Sequence, residues 1–473
     1  MSTTISQFRD RALIAIEDIR LQDVLEKGPS RFAGARHAAL ANVPDAEALR
    51  DHFKAIRSAT LARLAHHLET FERNAIAAGA QVHWAADGAD ACRIVVEIAQ
   101  QYGVKLVTKS KSMATEEIHL NQALIEQGIE PVETDLGEWI IQLAGETPSH
   151  IIGPAIHKSR HEIAQMFSEQ VGRPLPADDI AGLTKAARLV LRENFLASGM
   201  GISGGNIMVA ETGSLVLVTN EGNGRMVTSA PPVHVAVVGI EKIAPTWDDA
   251  AVWLSLLARS ATGQPLSVYS SIITGPARSD DIDGPKDVHI VLLDNGRSDL
   301  VGTKYEEVLQ CIRCGACLNV CPVYRKAGGH AYGSPYSGPI GAVIMPLLFG
   351  LEQYNALPHA SSLCGACKDV CPARIDLPRM LLELRADEVS QGIVPWWERF
   401  AERAVGFGLS KGPLYRFGSA LARQLQRPLA KNGILNLPEP FHPSGERELP
   451  ALAKRSFRDL WQAGEVKTNE SYS

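Results

Sequence analysis

Seven of the eight cysteines in this 473-residue chain fall between Cys311 and Cys371, and only Cys92 lies outside. Clustered thiols in a chain of this size, with no apolar leader in its first twenty residues, point to metal binding rather than to a disulfide framework. The first group reads Cys311-x2-Cys314-x2-Cys317-x3-Cys321-Pro322. One compact loop with that spacing can aim three thiolates at a single iron–sulfur centre, while the proline turns the chain so that the fourth thiolate points toward a neighbouring one. Zinc sites usually pair two CxxC units and have no need of a tight triple run with a trailing Cys-Pro, so zinc is the weaker alternative. Cys92, on an expected helix, reads as a buried structural thiol.

The cysteine motif repeats. Residues 314–322, CGACLNVCP, recur at 364–372 as CGACKDVCP, with seven of nine positions matching at a constant offset of 50, which duplication explains better than chance. In bacterial two-cluster ferredoxins the fourth cysteine of such a run ligates the other cluster. If the ligands cross over here in the same way, the first cluster takes Cys311, Cys314, Cys317 and Cys371, and the second takes Cys321, Cys364 and Cys367. The counterpart of Cys311 is Ser361, so the second set is one thiolate short. Two [4Fe-4S] clusters are the expectation, with [3Fe-4S] the alternative for the second. A fourth iron there would be held by Ser361, by His359 or His330, or by water. Gly315 and Gly365 allow backbone amides close to cluster sulfurs. The intervening Gly/Pro/Tyr-rich segment 327–341 reads as a packed loop covering the clusters, with a partner- or substrate-facing surface as the alternative.

These residues need elements to position them. Residues 1–65 read as a helical segment, with Phe53, Ile56, Thr60, Leu61 and Leu64 at helical spacing. Over 66–300 short β-branched runs alternate with helical stretches, as in VKLVTKS at 104–110 and VHIVLLD at 288–294, which predicts a parallel-sheet-rich α/β domain ending near the NGRS turn at 295–298. The run IMVAETGSLVLVT at 207–219 is read as buried strand of a sandwiched sheet. An iron–sulfur domain over 301–385 follows, then a helical C-terminal region over 386–473 that carries Trp396, Trp397, Phe400 and Phe417 and ends in a polar tail. Within the α/β domain, Glu211-Thr212-Gly213 and Gly222-Asn223-Gly224 suggest an anionic-ligand site, with plain turn chemistry as the alternative. No GxGxxG fingerprint supports a dinucleotide site. Lys109-Ser110-Lys111-Ser112 reads as a solvated helix start, with an anion site as the alternative. A net charge of −6 gives no sign of a nucleic-acid partner, and the most apolar stretch, 341–351, is too short to span a membrane. A cytoplasmic protein that docks on partners, and meets a membrane only through them, is the expectation.

CIRCGACLNVCPVYRKAGGHAYGSPYSGPIGAV, with SSLCGACKDVCP after it, resembles the lactate-utilisation iron–sulfur protein B family, and KSKSMATEEIHLNQ and AETGSLVLVTNEGNGRM resemble that family's N-terminal domain. The resemblance implies an α/β domain similar in fold to sugar-isomerase and CoA-transferase-like proteins, a dicluster ferredoxin-like module of helical character and a helical C-terminal region. It implies a role in oxidising L-lactate to pyruvate beside two partners, a cysteine-rich-domain subunit and a second lactate-utilisation-domain subunit, with an electron acceptor beyond them. Removing two electrons and two protons from a 2-hydroxy acid exceeds what one cluster takes at a time, and the chain shows no flavin or nicotinamide fingerprint. An electron-transfer subunit is therefore the leading reading. Direct catalysis at an open iron of the second cluster is the alternative, and a redox sensor or scaffold the second alternative.

Overall fold

The computed structural model describes residues 3–436 and 449–465. The last eight residues, read above as a polar tail, and part of the Pro-containing stretch before them lie outside the described residues. The chain divides into two compact units, Met1–Glu388 and Val389–Ser473.

Ten strands form the sheets of the first unit: β1 (Gln81–Ala85), β2 (Leu106–Lys109), β3 (Glu130–Glu133), β4 (Met200–Ser203), β5 (Ile207–Val209), β6 (Ser214–Thr219), β7 (Val233–Gly239), β8 (Ile243–Ala244), β9 (Tyr269–Ile273) and β10 (Asp287–Leu293). Six make one wholly parallel sheet in the order β1-β10-β7-β4-β2-β3. Every residue of β7 and six of the seven in β10 are buried, as strands covered on both faces require. The helix Gly88–Gln101 starts where the Asp87 side chain accepts from the Asp90 N–H, and it buries Ala91, Ile94, Val95 and Ile98 against this sheet. Cys92 lies on the same face, donates to the Ile118 carbonyl at 3.3 Å and is pushed up to about 11 by burial, which makes it an inert structural thiol.

The run 207–219 is buried strand, as expected, but lies outside the parallel sheet. It forms β5 and β6, which pair antiparallel and lie in a separate four-stranded sheet of order β8-β5-β6-β9. The reason is local: Glu211-Thr212-Gly213 is the tight turn between them, and a turn that short joins only antiparallel neighbours. Gly213, at φ +67°, is packed so closely on the helix Leu64–Ala77 that an added Cβ would lie 2.1 Å from the Ala75 nitrogen.

Four helices, Ile5–Glu17, Ile19–Ala41, Ala46–Leu61 and Leu64–Ala77, precede the large sheet. The first two pack on the cysteine-bearing segment as well as on each other, so the N-terminal residues belong to the same body as the metal-binding motifs. In the second unit the helices Trp396–Ser410 and Gly412–Leu425 bury no residue, and they leave Trp396, Trp397, Phe400 and Phe417 exposed. No described helix is long and apolar enough to cross a membrane.

His234 on β7 is fully buried, with Nε2 2.8 Å from Ser203 Oγ at the end of β4. Burial, and then the neighbouring His289, push it from 6.5 down to about 4. Between those values the unfolded chain binds a proton that the folded chain does not, so stability falls as pH drops through the window. The loss is at most about 1.4 kcal/mol per pH unit for this one group. His234→Gln is expected to flatten that part of the stability profile, measured as the urea midpoint against pH.

Candidate functional site

The two cysteine motifs share one backbone conformation. Arg313 and its counterpart Leu363 both sit at positive φ, +58° and +55°, as do Gly315 and Gly365 at +72° and +87°. Each glycine opens a short helix, Ala316–Val320 in one case and Ala366–Asp369 in the other. The Arg313 N–H points at Cys311 Sγ at 3.4 Å, and the Leu363 N–H donates to Ser361 Oγ at 3.1 Å. Ser361 thus occupies the Cys311 position down to the amide that faces its side chain.

Cys311, Cys314, Cys317 and Cys371 line one small cavity, together with Ile340 and Ile375. Burial pushes Cys314 up to about 12 and Cys371 up to about 11, with the neighbouring thiols adding to both. Burial first, and then those same neighbours, hold Cys317 well above its ordinary value. Four thiols that converge on one cavity are the donor set that an iron–sulfur cluster takes, so the residues present fit such a cluster. Cys321, Cys364 and Cys367 form the second group: burial raises Cys367 to about 12, with Cys321 and Cys364 adding to it. Cys364 is exposed, whereas Cys321 and Cys367 are buried. The histidines raised as further ligands are engaged elsewhere. His359 Nε2 lies 2.7 Å from Glu388 Oε2, and His330 Nε2 lies 2.7 Å from the Thr147 carbonyl oxygen. The segment 327–341 is packed, with Tyr332 and Tyr336 at most 1% exposed.

The cysteine loop is tied to the large sheet by buried charge. Arg297, four residues past β10, donates two hydrogen bonds to Glu117, at 2.8 and 2.7 Å, and one to Glu241 at 2.8 Å. All three side chains are at most 2% exposed. Tyr336 donates to Glu117 at 2.7 Å, and Lys242 donates to the Cys311 carbonyl at 2.7 Å. Arg57, fully buried, donates to the carbonyls of Ile243, Glu241 and Leu309. Burial alone would raise Glu241, but Arg297, Lys242 and Arg313 outweigh it and hold it at about 2.

Beside the thiol cavity lies a larger one, of about 610 Å³. Ile312 and Arg313 line both. Residues that follow four parallel strands reach the larger cavity: Ser110 and Lys111 after β2, Asp135 after β3, Gly204 and Gly205 after β4, and Glu241 after β7. Asn223 also lines it, whereas Glu211-Thr212-Gly213 does not. Lys109–Ser112 does lead into a helix, Met113–Glu117, whose cap is Ser112, but the reading of that start as solvated is corrected. Lys109 is 1% exposed and bonds Glu133 at 2.6 Å and Asn121, because β2 is an inner strand and its last residue stays in the interior. Sequence reasoning missed Glu117, Glu241, Arg297 and Arg313. The one available signal was the NGRS turn, which read as a domain edge.

Fold and site together define an iron–sulfur protein built on an α/β domain. Residues 68–293 match the LUD domain family, and residues 307–375 match the 4Fe-4S dicluster domain family. Lactate utilization protein B of Bacillus pumilus (strain SAFR-032) is 42% identical over 461 residues, covering 96% of this chain and 97% of that one. Lactate utilization protein B 2 of Bacillus mycoides (strain KBAB4) is 42% identical over 467 residues, covering 98% of each. The chain belongs to the lactate utilization protein B family. A crystal structure of a DUF162 family protein from Deinococcus radiodurans covers 49% of this chain and 98% of its own, at 13% identity and a TM-score of 0.27, too loose a superposition to support an argument.

Arg297→Met leaves Glu117 buried without its counter-charge and Glu241 with only the more distant Lys242 and Arg313. It is expected to cost about 3–5 kcal/mol in urea unfolding, and a loss under 1 kcal/mol would show that the network is not the tie described here.

Proposed function

We propose that this chain is the iron–sulfur electron-transfer subunit of a multi-protein system that oxidises L-lactate to pyruvate. The observation that carries the reading is the convergence of seven thiols into two neighbouring sets within one body. Cys311, Cys314, Cys317 and Cys371 would hold the first cluster, and Cys321, Cys364 and Cys367 the second, each of [4Fe-4S] type. Such clusters supply one electron at a time. Ser361 is the fourth ligand of the second, since it stands where Cys311 stands and its oxygen meets the same amide. The protein's own groups set the surroundings. The guanidinium of Arg36 lies near Cys314 and Cys371, and Arg313 near Cys311, so cations face the first set. Tyr332 and Tyr336 keep water from the linker side.

The names of the relatives support lactate utilisation as the setting. Partners of the kinds expected from the sequence, a cysteine-rich-domain subunit and a second lactate-utilisation-domain subunit, would deliver electrons from substrate and pass them to an acceptor. The assembly would work in the cytoplasm and meet a membrane only through those partners. Direct oxidation of substrate by this chain is the second reading, favoured by the exposure of Cys364 beside the one non-thiol position.

Iron and acid-labile sulfide on anaerobically purified protein test the ligand sets. Cys371→Ser is expected to remove the first cluster although the residue lies in the second motif, and Cys321→Ser to remove the second. The reverse pattern would undo the crossover. Ser361→Cys is expected to retain the second cluster in full and Ser361→Ala to convert it to a three-iron form, visible in the EPR spectrum of the oxidised sample. An unchanged cluster in Ser361→Ala would exclude serine ligation. Lactate turnover by the chain alone with an artificial acceptor would replace the electron-transfer reading with the second one.

A further inference from the structure

The 610 Å³ cavity is lined by none of the seven clustered cysteines, yet it stands where a ligand belongs in this kind of fold. Open parallel sheets bind ligands outside the carboxyl ends of their strands, at the point where the chain's direction across the sheet reverses. Here β2 leads outward to β3 at one edge, while β4 leads the other way through β7 to β10, so the reversal falls between the neighbours β2 and β4. Ser110 and Lys111 follow β2, Gly204 and Gly205 follow β4, and all four line the cavity.

Three polar atoms on its wall lack a hydrogen-bond partner. Ser110 Oγ, Lys111 Nζ and Asn223 Oδ1 are buried without a hydrogen bond, and Ser110 and Asn223 are 2% and 8% exposed. Native proteins pair buried polar atoms, so three orphans on the wall of one cavity mark a place for a bound molecule. Lys111 has a carboxylate neighbour in Glu138, 3.6 Å away. Burial pushes Glu138 up to about 8, against the opposing pull of Lys111. Ile140, Ile152, Leu217 and Leu257 give the wall apolar stretches, and Asp135, Asn206 and Glu221 add further polar ones. The volume lies within the range of sites for drug- and cofactor-sized ligands and far exceeds what a three-carbon acid fills.

We propose that this cavity binds an organic anion of nucleotide size, with its charged group at Ser110 and Lys111 and its apolar body toward Ile312 and Arg313. A ligand so placed lies against the loop whose other side lines the Cys311, Cys314, Cys317 and Cys371 cavity. It would occupy the place where a two-electron carrier could meet a one-electron centre, and that consequence, unlike the binding itself, rests on the electron-transfer reading.

The test uses the full chain with its clusters in place. Flavin mononucleotide is the added probe, followed by its own fluorescence, and small molecules released from the anaerobically purified protein are identified by mass spectrometry. The expected result is that flavin mononucleotide binds, or that another organic anion of that size is released. In Lys111→Met, and independently in Asn223→Ala, binding or retention should weaken about tenfold or more, as lost hydrogen bonds to a charged group would cause. Iron content and the reduced EPR spectrum should not change. The proposal is overturned by the absence of both binding and a released anion, by binding indifferent to both substitutions, or by binding of lactate or pyruvate alone. Failure with intact, reducible clusters leaves the electron-transfer reading standing, whereas clusters that cannot be reduced defeat that reading and leave the binding measurement valid.

Discussion

Arg297 holds its charge where no water can compensate it, and two parts of the protein are fixed by what answers that charge. Glu117 and Glu241 come from the segments after β2 and β7, and Tyr336 comes from the linker between the cysteine motifs. Taking three charges out of water is costly, and their mutual attraction returns that cost only in good geometry. Any shift of the cysteine segment against the sheet would leave a buried charge unpaired. The network therefore selects one arrangement of sheet and thiols rather than simply adding stability. Gly239, at the end of β7, shows how tightly it is built, since an added Cβ would lie 2.2 Å from Glu241 Oε2 and 2.8 Å from Arg297 Nε.

The same anchoring explains why thiols and cavity are neighbours. Lys242, the residue after Glu241, holds the Cys311 carbonyl, and Arg313 extends back toward Glu241 at 3.6 Å while its guanidinium lies over the Tyr336 ring. The loop 311–313 is thus pinned on the sheet side by β7 and filled on the other by cysteine side chains. A cavity at the strand ends must then have that loop as one of its walls.

Much of this was readable in advance because it depends on local spacing. The cysteine motifs, their offset, the missing thiolate at Ser361 and the parallel strands β2 and β10 all follow from residue type and period. The run 207–219 was legible as buried strand but its sheet was not, because buried strands of parallel and antiparallel sheets have the same composition, and only pairing separates them. Lys109 was misread because a Lys-Ser-Lys-Ser string has the composition of a solvated helix start, and its burial depends on Glu133, 24 residues away.

The sequence by itself determined which atoms could hold iron, because ligand chemistry and a three-residue spacing are short-range properties that one loop expresses alone. It also determined that a parallel α/β domain precedes them, because apolar period and β-branching are written residue by residue. Only the tertiary structure brought Cys371, expected from the motif, into one cavity with the first three cysteines, and gave that cavity a ligand-sized neighbour that shares a wall with it. Those facts depend on contacts between residues tens to hundreds of positions apart, and such contacts exist only after the chain has folded and buried its charges together.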